Sequence, residues 1–125
     1  MSKATLDEFG SLIIRRVRDA AIRDWYMMLD GSMKGELASK VGAMITSFSE
    51  DDKKVLTRLI PMIVDTALHH ALWTLEGESR VGLCYESETG EKVDIKTSSD
   101  GLSGELYSSE GWIAKFSCYA DPIGP

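Results

Sequence analysis

The chain has 125 residues, 43% hydrophobic and 27% charged, the balance of a globular protein large enough to bury a core without disulfide or metal staples. Fourteen Lys and Arg against 20 Asp and Glu give a formal charge of −6, a field that repels phosphate backbones and anionic bilayers and argues against nucleic acid or membrane as partner. The longest apolar stretch, residues 59–64, is far short of the roughly 20 residues a bilayer span needs, and no signal-peptide core precedes Asp7; one cytoplasmic domain over residues 1–125 is expected.

Thr5 followed three residues later by Glu8 has the form of a capping box and predicts a helix start. Leu6, Phe9, Ile13, Val17, Ala20, Ala21 and Met28 recur at helical spacing, so the predicted helix covers residues 5–29 with those positions on its buried face. Asp30-Gly31-Ser32 ends it, the glycine supplying a left-handed cap. Leu37, Val41, Met44, Ile45 and Phe48 predict a second, weaker helix over residues 33–46 despite Gly35 and Gly42. Ser49 with Asp52 is another capping signature, and Glu50, Asp51 and Asp52 sit where a helix dipole is positive. The third helix carries the longest stripe, from Val55, Leu56, Leu59 and Ile60 to Leu72 and Leu75. Pro61 falls inside it, lacks an N–H and crowds the carbonyl four residues back, which predicts a kink or two abutting helices.

Past Glu76-Gly77-Glu78 the period shortens. Val81, Leu83 and Tyr85 alternate as a strand, residues 87–91 have turn chemistry, and Val93 and Ile95 make the return strand of a hairpin. Residues 102–107 read as a short helix or an irregular strand, Trp112, Ala114, Phe116 and Cys118 alternate as a last strand, and residues 122–125 form an exit arm. The expected fold class is α+β, with three main helices, the third kinked at Pro61, over residues 5–76. They pack with a small C-terminal antiparallel β region over residues 80–118.

His69 and His70 are the only histidines. Helical neighbours point about 100° apart, so at most one faces any given site. The wheel sets His70 beside Leu59, Ile63 and Thr66 on the buried side and His69 with Asp65 and Glu76 on the polar side. Asp65 and His69, four apart, project from one face and suit two metal ligands or an acid–base pair; the plainer reading is a surface pair plus a core His70. No third ligand lies nearby in sequence, so no metal and no cofactor is expected. Asp24 falls on the first helix's apolar face, where it is expected to be largely buried and so to meet an arginine, His70, a helix N-terminus or water. Arg15, Arg16, Arg18 and Arg23 spread around the helix as a solvated surface. Ser103, Ser108, Ser109 and Ser117 lie in no GxSxG elbow. Ile22, Tyr26 and Leu29 form a second apolar stripe, to be covered by the β region or by another subunit, which makes Tyr26 and Leu29 candidate binding residues. Trp112, with Tyr107 and Phe116, reads first as core and second as a ligand contact. Cys84 and Cys118 are expected as free, mostly buried thiols.

Two segments together, Asp65-Thr66-Ala67-Leu68-His69-His70-Ala71-Leu72-Trp73 with Leu75-Glu76, and Asp100-Gly101-Leu102 through Gly104-Glu105-Leu106-Tyr107 to Gly111-Trp112-Ile113 and Phe116, resemble a loose set of short, uncharacterised bacterial proteins. The resemblance implies a bacterial cytoplasmic origin and carries no activity, cofactor or site residue. From the residues themselves the leading expectation is a non-catalytic binding or regulatory protein working through protein–protein contacts or self-association, analogous in size and acidity to immunity-type proteins. The alternative is a small enzyme or metal-binding protein using Asp24, Asp65, His69 and His70. Convergence of those four groups in one pocket would separate the two.

Overall fold

The apolar spacing of the first thirty residues does give a helix, but one that starts ahead of Thr5 and changes pitch midway. In the computed structural model, which describes residues 2–119, α1 (Ser2–Ile13) passes through a π-helical turn (Ile14–Arg18) directly into α2 (Asp19–Asp30). Thr5 therefore lies inside a helix instead of capping one. It is buried, and its hydroxyl donates to the Glu91 carboxylate across the fold. Gly31 ends α2 as expected, at φ 83° with its N–H on the Met27 carbonyl.

The π-helical turn corrects the wheel beyond residue 18. A wider turn rotates everything after it by about a quarter turn relative to an uninterrupted α-helix. Val17 and Asp24, placed on the buried face by an unbroken wheel, are exposed, while Arg18, Asp19 and Ile22 point inward. The stripe that packs on the rest of the chain is Arg18, Ile22, Tyr26 and Leu29, spaced four, four and three.

Next come α3 (Glu36–Met44) and α4 (Glu50–Gly77). Ser49 caps α4 reciprocally: the Asp52 N–H donates to Ser49 Oγ at 3.1 Å, and the Ser49 N–H donates to Asp52 Oδ2 at 3.0 Å. Pro61 neither splits α4 nor leaves a bond unmade, because the Thr57 carbonyl it orphans accepts from the Tyr26 hydroxyl at 3.3 Å. That contact, with the Tyr119 ring edge-on at 5.5 Å, makes Tyr26 a packing residue and covers this part of the second stripe with α4 and Tyr119 instead of the β hairpin.

The hairpin pairs β1 (Cys84–Glu86) with β2 (Lys92–Asp94) antiparallel, Tyr85 opposite Val93. The return strand stops sooner than alternation suggests. Asp94 accepts from the Lys96 and Thr97 amides and starts α5 (Ile95–Ser98). A 3-10 turn (Ser103–Leu106) and α6 (Trp112–Phe116) follow. The expected last strand is thus a short helix: Trp112, Ile113 and Phe116 fall on one helical face, Ala114 is exposed, and the Lys115 N–H reaches the Gly111 carbonyl at 3.1 Å. A spacing of i, i+4 satisfies both periods, and here the helix takes it. The expected exit arm, residues 122–125, lies outside the described residues.

The architecture is α+β, mostly helical with one two-stranded sheet. Its core gathers Leu6, Phe9 and Ile14, Leu68 and Leu72 of α4, Val93 of β2, Ile95 of α5, and Leu102, Leu106 and Trp112. Trp112, 1% exposed, lies on Gly10, where a Cβ would overlap its indole ring. A glycine in mid-helix is there for this close approach. No described helix is long and apolar enough to cross a membrane.

Candidate functional site

Two places combine unusual chemistry with a defined geometry. The first is built on Arg18. Turned inward by the π-helical turn and 2% exposed, its guanidinium grips Asp65 of α4 with two bonds, Nε to Oδ1 at 2.6 Å and Nη2 to Oδ2 at 3.3 Å. Nη1 donates to Ser117 Oγ at 2.8 Å, to Asp19 Oδ1 at 3.2 Å and to the Tyr119 carbonyl at 3.4 Å. Asp19 also accepts from Ser117 Oγ at 2.7 Å and from the Cys118 N–H at 2.9 Å. One planar cation thereby fastens the α1–α2 junction, the middle of α4 and the end of the chain.

One helical turn along α4, His69 Nδ1 lies 2.9 Å from the Tyr107 hydroxyl, and the His70 ring stands edge-on to His69 at 5.5 Å. Burial, and then the Asp65 charge, push the Tyr107 phenol above its ordinary pKa, so it stays protonated and able to donate. Asp65 and His69 thus do share a neighbourhood. Asp24 is exposed, and His70, though its ring lies against His69, faces solvent instead of the core. Both Asp65 oxygens accept from Arg18, so the carboxylate is held as the partner of a buried cation. Among the described residues no group of three or more His, Cys, Asp or Glu is arranged to hold a metal ion. Cys84 and Cys118 are free and exposed, where buried thiols were expected.

The second place is apolar. Trp25 and Leu29 of α2, Val41 and Met44 of α3, and Ile60 and Ile63 of α4 line a half-open trough of about 370 Å³. Its rim is wide open: Met44 is 76% and Ile63 63% exposed. Val55, Leu59 and Met62 extend the apolar surface along α4. Leu29 therefore does line an accessible surface, whereas Trp112 lies within the core and Tyr26 is occupied with Thr57 and Tyr119.

Arg18, Ser117 and Tyr107 were missed as members of a polar cluster. The signal for Arg18 was present, since it heads the stripe Arg18, Ile22, Tyr26 and Leu29. The trough had a signal too. Seven of the ten residues 55–64 are Val, Leu, Ile or Met, more apolar circumference than one neighbouring helix covers. Comparison with protein-family models, with curated proteins and with solved structures finds no match.

Proposed function

We propose that this chain is a non-catalytic binding protein that works through protein–protein contact, with the trough between α2, α3 and α4 as its contact surface. The observation that carries the reading is the trough itself. Small-molecule sites of this volume normally add a few convergent polar groups that orient the ligand, whereas the lining here is aliphatic and aromatic almost throughout. Such a surface selects shape and apolar area, which is what the core of a protein interface offers. The competing reading, an enzyme or metal protein using Asp24, Asp65, His69 and His70, is weakened by the commitment of Asp65 to Arg18 and by the outward positions of Asp24 and His70.

A photo-cross-linking residue tests this at two positions. Substituted for Met44, on the trough rim, it should form adducts with polypeptide; substituted for Glu110, exposed near α6, it should form none. Adducts at neither position, or equally at both, would refute the trough as a contact surface.

A further inference from the structure

We infer that the polypeptide occupying the trough is a second copy of this chain, so that α2, α3 and α4 of two protomers close on one another about a two-fold axis. The inference rests on the trough being a protein contact surface and names its partner.

Surface area comes first. The chain exposes 8003 Å², whereas a compact monomer of 13.8 kDa exposes about 6,600 Å². The excess is of the order of the roughly 800 Å² that each partner gives to a standard interface. The excess has an apolar source at hand in Met44, Phe48, Val55, Leu59, Met62 and Ile63, all exposed and all on α3, α4 or the loop between them.

Composition points the same way. Interfaces between different, separately stable proteins are about as polar as the rest of a protein surface, whereas homodimer interfaces are markedly more apolar. An almost wholly apolar trough belongs to the second class.

Charge then chooses between a second copy and a foreign partner. Residues 19–64, which build the trough, hold seven Asp and Glu against six Lys and Arg, while residues 65–119 hold ten against four. A partner drawn in by the acidity of the protein would be steered to the hairpin end. On the helices that build the trough, two exposed ion pairs form within the chain, Lys40 with Glu36 at 3.5 Å and Lys53 with Glu50 at 3.8 Å. Two copies meeting there bring together nearly neutral surfaces and hold their strongly acidic ends apart. An isologous contact needs a self-complementary patch, and a balanced apolar one meets that condition.

Sedimentation equilibrium on the full chain tests the inference. The expected mass is twice 13.8 kDa, falling to the single-chain value in Ile63→Glu with the far-UV circular dichroism unchanged. Should Ile63→Glu fail to fold, Met44→Glu, at a side chain that makes the rim, serves in its place and should likewise halve the mass. A wild-type chain that is monomeric up to about 1 mM, an affinity too weak to matter, overturns the inference. So does a dimer indifferent to both substitutions, or a monomer carrying a small apolar molecule in its native mass spectrum. The Met44 cross-linker separates this from the broader reading: a monomer whose Met44 adduct is a different polypeptide overturns only self-association, whereas no polypeptide adduct removes both.

Discussion

The two halves of α4 are built from the same kinds of side chain and end in opposite surroundings. Leu68 and Leu72 are buried, against α1, the hairpin and the 3-10 turn; Val55, Leu59 and Ile63 are exposed. The difference lies in what the rest of the chain brings to each half. The C-terminal half shares its core with α1, the hairpin and the 3-10 turn, locked by Arg18 and closed by Trp112. The N-terminal half receives α2 along one side, while the nine residues of α3 pack on α2 and leave the trough open, too little to cover an apolar surface that runs most of the way round the helix. Helical periodicity shows that a face is apolar; it does not show that the same chain covers it.

Substitutions at the closed half should be the most costly. Arg18→Ala strands Asp65 and Asp19 and should cost about 3–5 kcal/mol in urea unfolding, whereas Arg18→Met combined with Asp19→Asn and Asp65→Leu, which removes all three charges, should recover much of the loss. A cost below about 1 kcal/mol for Arg18→Ala would mean the clasp is not what holds this half shut. Gly10→Ala sharpens the same point. In an ordinary helix interior the change stabilises by about 1 kcal/mol, but overlap with the Trp112 ring should turn it into a loss of roughly 1–3 kcal/mol, read as a lower denaturation midpoint.

At the boundary between the halves, Tyr26→Phe should cost about 0.5–1.5 kcal/mol by withdrawing the donor from the Thr57 carbonyl. In a Pro61→Ala background, where an N–H returns to that carbonyl, the cost of Tyr26→Phe should shrink. Equal costs in the two backgrounds would show that the tyrosine does not compensate for the proline. The open half should tolerate change: Leu37→Lys, on the exposed face of α3, should move stability by no more than about 0.5 kcal/mol when measured at low protein concentration.

The smallest effect should come from alkaline pH. All four tyrosines, Tyr26, Tyr85, Tyr107 and Tyr119, have phenols raised above the ordinary value, in each case first by burial. A folded pKa above the unfolded one means the folded chain holds protons that the unfolded chain has released. The tyrosines' contribution to stability should therefore be constant below about pH 10 and be lost as pH rises through the folded values. Tyrosinate absorbance should rise later in the folded protein than in urea; coincident titrations would show that the phenols are not shielded.

Local signals in the sequence survive folding where the structure is local. The Ser49–Asp52 capping box, the Gly31 cap, the three long helical segments and the hairpin turn were legible because each is decided by a few neighbouring residues. The side of α2 that would be buried was not, because the π-helical turn at residues 14–18 changes the phase and leaves no compositional mark in Ile14-Arg15-Arg16-Val17-Arg18. Trp112, Ile113 and Phe116 were read at the wrong period, in a run too short to separate two from 3.6. Of the proposed site residues, the pairing of Asp65 with His69 on one face followed from their spacing, but the arginine that claims Asp65 lies 47 residues earlier, and no spacing rule reaches that far.

The Arg18 clasp also orders events in time. Its bond to Ser117 spans 99 residues, so it cannot form until nearly all of the described chain has been synthesised, and contacts of such separation close slowly. The α2, α3 and α4 segments meet through far shorter loops and can associate while the C-terminal segments are still being made. During that interval the nascent chain presents not one uncovered apolar surface but two, the trough and the unfinished floor beneath Trp112. The exposure that invites aggregation is therefore greatest before the segment carrying Ser117 has been made.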